Sequence, residues 1–138
     1  MKHILIDTNI VIDLLAKREP FHDEAAMLFT LADKHKVRLC VSALTFANTN
    51  YILLQSKKPE EAKLILRKLK LIVQVLRLDE KIVALSLNDD QFKYHEDALQ
   101  YFTAPENGVD AIITRNLKNF QKAKLPVMTA SQFLKSIK

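Results

Sequence analysis

The chain has 138 residues, of which 49% are hydrophobic and 27% charged, which excludes an intrinsically disordered polypeptide and suits one domain, residues 1–138, with a real core. The formal charge of +5 suits a polyanionic partner such as nucleic acid. A single glycine, Gly108, excludes a P-loop and a Rossmann fingerprint, so no nucleotide cofactor is expected.

No apolar run approaches the roughly 18 residues of a membrane span. At the N-terminus, Asp7 interrupts the apolar run after Ile4-Leu5-Ile6, unlike a signal peptide. The expectation is a cytoplasmic protein without membrane contact. Cys40 stands alone in Leu39-Cys40-Val41, so it forms no intrachain disulfide and reads as a small core residue.

In chain order, Ile4-Leu5-Ile6 predicts a strand buried on both faces. Thr8-Asn9 offers a cap for a helix through Ile10-Val11-Ile12 and Leu14-Leu15, which Pro20 ends. Helical spacing of Ala25, Ala26, Leu28, Phe29 and Ala32 predicts a second helix over 22–36. Residues 37–41 read as strand two, and Ser42 as the cap of a third helix reaching about Gln55. Pro59 with Glu60-Glu61 opens a fourth helix ending near Lys70. The β-branched run 72–76 is strand three, and Asp79 caps a helix to about Asn88. A polar loop leads to a helix starting near Glu96 and closed by Gly108. Residues 111–114 and 126–128 are the last strands, and 131–137 a closing helix. This alternation predicts an α/β fold, a central parallel sheet of four to five strands with helices on both faces. Such sheets carry their sites at the carboxyl ends of the strands.

There the chain offers Asp7, Thr8 and Asn9 after strand one, Ser42 to Asn48 after strand two, and Thr114-Arg115-Asn116 after strand four. Glu96 and Asp97 open the helix before strand four. Each has a plain structural explanation as well: Asp7 or Thr8 as a helix cap, Glu96-Asp97 as acids favoured by a helix dipole. Asp110 precedes strand four, at the opposite end of the sheet, where capping is expected. His3, His22, His35 and His95 show no ligand spacing on one helix face.

The ordered set Ile4-Leu5-Ile6-Asp7-Thr8-Asn9, Ser42-Ala43-Leu44-Thr45, Glu96-Asp97-Ala98 and Thr114-Arg115-Asn116-Leu117-Lys118-Asn119-Phe120 resembles the PIN-domain family, which includes VapC-like toxins. The resemblance covers nearly the whole chain; its first and last motifs are the more specific. It implies a PIN-like three-layer sandwich and an endoribonuclease dependent on Mg²⁺ or Mn²⁺, in which acids hold the metal that activates a water. Asp7 matches the family's first acid and Asp97 its third, so both are expected as catalytic metal ligands, joined by Glu96. Thr8, Asn9, Asn48, Thr114 and Asn116 are expected in supporting or substrate-binding roles. Asn48 and Asn116 stand where many members carry acids, and Asn119 holds another often acidic place. With fewer carboxylates the site is expected to bind metal weakly, needing millimolar Mg²⁺ or preferring Mn²⁺. Asp89 and Asp90 are further candidate oxygen ligands.

The resemblance also implies RNA as substrate, a small antitoxin as partner and a homodimer. The candidate dimer surface contains Tyr51, Ile52, Leu54, Leu64, Ile65 and Leu69. The alternative is a degenerate PIN domain that binds RNA or a protein without efficient cleavage. A haloacid-dehalogenase-like phosphatase needs a second acid two residues after the first, where Asn9 stands.

Overall fold

The computed structural model describes residues 1–137. The apolar run becomes β1 (Lys2–Ile6), in the middle of a five-stranded parallel sheet. Around it lie β2 (Val37–Ser42), β3 (Gln74–Leu76), β4 (Ala111–Ile113) and β5 (Val127–Met128), in the order β3-β2-β1-β4-β5. Leu5 lies opposite Cys40 on one side and Ile112 on the other, so three apolar residues meet at one level.

Side chains of a strand alternate between faces. Ile4 and Ile6 pack with Ile10, Leu28 and Phe133, from α1 (Thr8–Leu15), α2 (His22–Asp33) and α7 (Ala130–Ser136). Leu69, near the end of α4 (Pro59–Ile72), joins the same cluster. Leu5 faces the other way, with Cys40, Ile112, Phe92 and Phe120, and with Ala98, Tyr101 and Ala104 of α6 (His95–Glu106). Two apolar layers thus sandwich the sheet, as the alternation predicted. The remaining helices are α3 (Ala43–Leu53) and α5 (Glu80–Leu87), with a 3-10 turn at Leu117–Phe120. No helix among the described residues is long and apolar enough to cross a membrane.

The chain leaves β1 toward β2 and β3, then returns to place β4 on β1's other edge. The reversal opens a crevice beyond the carboxyl end of β1, where such sheets bind ligands. At the opposite end, Asp110 Oδ2 accepts a 2.8 Å bond from the backbone N–H of His3. It ties β4 to β1 by satisfying a backbone N–H, at the end of the sheet where capping was expected.

Other local expectations shift modestly. Helix α4 runs on to Ile72 because Leu69 continues the buried helical face, which shortens β3 to three residues. Helix α2 stops at Asp33, before His35 takes a left-handed φ of 59°. Gly108, at φ 68°, follows the C-cap of α6 as its lack of a Cβ permits. Ser42 occupies the N-cap of α3, yet its hydroxyl makes no capping bond and is buried without a partner.

Candidate functional site

Asp7 ends β1 and serves as the N-cap of α1, the structural role that the sequence offered to it or to Thr8. Its residue is only 8% exposed. Oδ1 accepts from the Thr8 backbone N–H at 2.8 Å and from Gln100 Nε2 at 3.4 Å. Oδ2 accepts from Thr114 Oγ1 at 2.8 Å and from Asn9 Nδ2 at 3.3 Å. Burial pushes the Asp7 carboxyl above its usual range. The bonds from Thr114, Thr8 and Gln100 and the charge of Arg115 oppose that rise. Capping and site formation are therefore one arrangement: the turn that starts α1 also fixes the carboxylate.

Asp97, half-buried in the first turn of α6, is pushed up to about 6, first by burial and then by the charges of Asp7 and Glu96. A hydrogen bond with the Asn119 side chain acts the other way. Glu96 is exposed, and its Oε1 accepts from Asn48 Nδ2 at 2.7 Å, joining α3 to α6. Thr114 reaches Asp7 directly, and its Oγ1 accepts from the Asn116 backbone N–H at 3.0 Å. Thr8 Oγ1 and Thr45 Oγ1 lie 3.0 Å apart. The expected residues are thus linked by hydrogen bonds or by charge at one end of the sheet.

The carboxylates of Asp7, Glu96 and Asp97 do not close into a tight three-ligand cage. Among the described residues the one such group is Glu19, His22 and Asp23, with ligand atoms within 4.8 Å of one another. This group lies at the surface, with the Asp23 side chain 88% exposed, and exposed acids gather without any ion. Asp89 is engaged in its own loop, accepting from the Gln91 and Phe92 N–H groups at 2.9 and 2.8 Å. Asp89 and Asp90 line a separate cavity of about 350 Å³ with Tyr101, Phe102 and Lys122.

Three contributors were given no role from the sequence, although Arg115 stands in one of its motifs. Gln100 is 1% exposed, and its Nε2 lies within 3.1 to 3.4 Å of Thr45 Oγ1, Thr8 Oγ1 and Asp7 Oδ1. Its Oε1 is buried without a partner. The available signal was its place three residues after Asp97, on the same helix face. Thr45 lay inside the quoted Ser42–Thr45 segment but had no assigned role. Arg115 grips Asp13, itself 1% exposed, through Nε–Oδ2 at 2.7 Å and a second bond at 3.1 Å. The same guanidinium lies 4.0 Å from the Phe21 ring centroid, and the Arg115 backbone N–H donates to Asn9 Oδ1 at 3.3 Å.

The donors at the site are all oxygens: carboxylates of Asp7, Asp97 and Glu96, hydroxyls of Thr8 and Thr114, and amide carbonyls. Hard divalent cations such as Mg²⁺ and Mn²⁺ take such ligands. The mutual repulsion that raises Asp97 is relieved by a cation. An open arrangement also suits an ion that keeps several waters, so the residues present fit the group.

This geometry has counterparts in known proteins. The PIN domain family matches residues 3–118. Over 137 residues the chain is 26% identical to Ribonuclease VapC1 of Aquifex aeolicus (strain VF5), spanning 94% of this chain and 92% of that protein. FitAcB from Neisseria gonorrhoeae superposes with a TM-score of 0.70 at 19% identity, over 93% of this chain and 98% of that one. A toxin-antitoxin complex from Klebsiella pneumoniae gives 0.70 at 22% identity, over 92% and 97%. With one crossover fold, an acid at the end of its central strand and a match over most of its length, the chain belongs to the PIN-domain family.

Proposed function

We propose that this chain is a divalent-metal-dependent endoribonuclease that hydrolyses RNA phosphodiesters, and that it is the toxin of a toxin–antitoxin pair. The observation that carries the reading is the buried Asp7 carboxylate, held by four donors beside the charges of Asp97 and Glu96. The similarity to a ribonuclease and to the toxin-antitoxin complex supports it. Asp7 and Asp97, with Glu96, would hold Mg²⁺ or Mn²⁺. When bound, such a cation activates water and neutralises charge gathering on the phosphate. Thr114 and the Thr8 N–H keep Asp7 oriented and favour its ionised form. Asp97, at about 6, is mostly ionised at neutral pH and able to exchange a proton there. Thr8, Asn9, Asn48 and Asn116 are the polar groups left to position substrate.

The partners follow from the same reading: RNA, a small antitoxin over the crevice and a second copy of the chain, in the cytoplasm. Tyr51, Leu54 and Leu64 remain exposed for self-association. Leu69 drops out of that surface, being 2% exposed within the core.

The test is cleavage of a structured RNA by the purified chain with Mn²⁺. Asp7→Asn, which keeps an acceptor for the Thr8 N–H, should slow cleavage by at least about 100-fold, the upper end of what losing an outer-shell partner alone costs. Equal rates for both proteins would refute the reading. The hydrogen bond that the Asn48 amide donates to Glu96 favours a second reading, a degenerate domain that binds without cutting, because it engages one of the remaining acids. RNA binding without any Mn²⁺-dependent cleavage would establish that one.

A further inference from the structure

Beside the acids lies a groove of about 360 Å³ between the loop before α6 and the 3-10 turn, lined by Gln91, Lys93, Tyr94, Lys118, Asn119, Gln121 and Lys122. No acid lines it. It adjoins the candidate site, because Tyr94 is the N-cap of the helix that carries Asp97, and Asn119 is one of the groups that lower the Asp97 carboxyl. Its outer limits are Gln91 and Lys122, both shared with the cavity that holds Asp89 and Asp90. Tyr94 is 51% exposed, with Lys93 Nζ 5.4 Å from its centroid.

Ammonium groups suit phosphates, an open aromatic ring suits a base, and side-chain amides suit base edges. An acidic peptide would satisfy the lysines but gives Tyr94 no comparable partner. A base held in an A-form duplex is already stacked between its neighbours. We infer that this groove binds a single-stranded segment of RNA adjoining the cut phosphodiester, with one base stacked on Tyr94 and phosphates on Lys93, Lys118 and Lys122. The adjacency to a cut bond rests on the ribonuclease reading; the binding itself does not.

The experiment is fluorescence anisotropy of the full chain with a labelled single-stranded RNA and with its duplex, in EDTA to prevent cleavage. Tyr94→Ala should weaken single-strand binding about 5- to 150-fold, the range of one base–aromatic stack, and largely spare the duplex. Tyr94→Phe should restore it. Replacing Lys93, Lys118 and Lys122 by alanine should lower the slope of log affinity against log salt by about 2, since each single-strand phosphate contact contributes about 0.7. All four positions are exposed, so thermal melts should match wild type. The inference is overturned if Tyr94→Ala binds like wild type, if the salt slope is unchanged, or if wild type does not prefer the single strand. Loss of binding to polyglutamate with RNA binding intact also overturns it, in favour of a protein partner. Tyr94-dependent binding without cleavage would sustain the inference while the ribonuclease reading fails. Cleavage with an unchanged KM in Tyr94→Ala would do the reverse.

Discussion

At the scale of single residues, the site depends on how one carboxylate is kept in place. Asp7 was visible in the sequence because an acid ending an apolar β-branched run falls at the mouth of a parallel sheet. Gln100 was not, because helical periodicity marks a buried face without saying that the face meets a polar crevice. Its amide donates to the Asp7 side while its Oε1 is buried and unpaired. In Gln100→Leu the bonds to Asp7, Thr8 and Thr45 are lost, and removing an unpaired acceptor worth about 1–3 kcal/mol offsets part of that loss. Stability to urea should therefore fall by no more than about 3 kcal/mol. The Asp7 carboxylate loses a bond that favours its ionised form, so the pH midpoint of Mn²⁺ binding should move upward. Titrations across pH that superpose on wild type would refute this role for Gln100.

At the scale of elements, the Arg115–Asp13 pair fastens the segment after β4 to α1. Asp13 is buried, whereas the Arg115 side chain is 28% exposed. Arg115→Ala strands a buried carboxylate, so it should cost about 3 kcal/mol, the low end for breaking a buried pair. Asp13→Leu combined with Arg115→Leu removes both charges and should recover most of that loss in urea denaturation. Equal destabilisation of single and double variants would mean that packing on Phe21 outweighs the charge. Nothing in the sequence pairs residues 13 and 115, since neither strand spacing nor helix periodicity reaches across the sheet. The same limit explains the displaced start of β3: Ile72 has strand propensity, but the helical run through Leu69 overrode it.

For the whole molecule, the raised acids link stability to pH and to the cation. Asp97 titrates near 6 in the fold against an ordinary 3.8. The folded chain thus holds that proton more tightly, and its stabilising contribution is complete below about 3.8 and is lost as pH rises through about 6. Metal-free protein should accordingly lose stability across that window relative to Asp97→Asn, in melts recorded in EDTA. On the proposed metal-dependent reading a divalent cation binds the ionised fold, so Mn²⁺ should reverse the loss above pH 6. For a weak site with a Kd of about 1 mM, about 10 mM Mn²⁺ adds about 1.4 kcal/mol. A wild-type pH profile parallel to Asp97→Asn would refute the raised titration of Asp97.

The sequence alone determined the parallel sheet, the buried central strand and the position of Asp7, because these follow from local apolar runs and their alternation with helices. It also marked Asp97 and Thr114 through the order of short motifs. Only the tertiary structure decided which side chains meet. It set Gln100 and Thr45 against Thr8 and Asp7, paired Asn48 with Glu96, and diverted Asp89 into its own loop. It also brought three lysines and Tyr94 into one groove beside the acids. The reason is physical: backbone periodicity is read over a few residues, whereas the site assembles side chains up to 107 positions apart, whose approach is set by how the helices pack on the sheet.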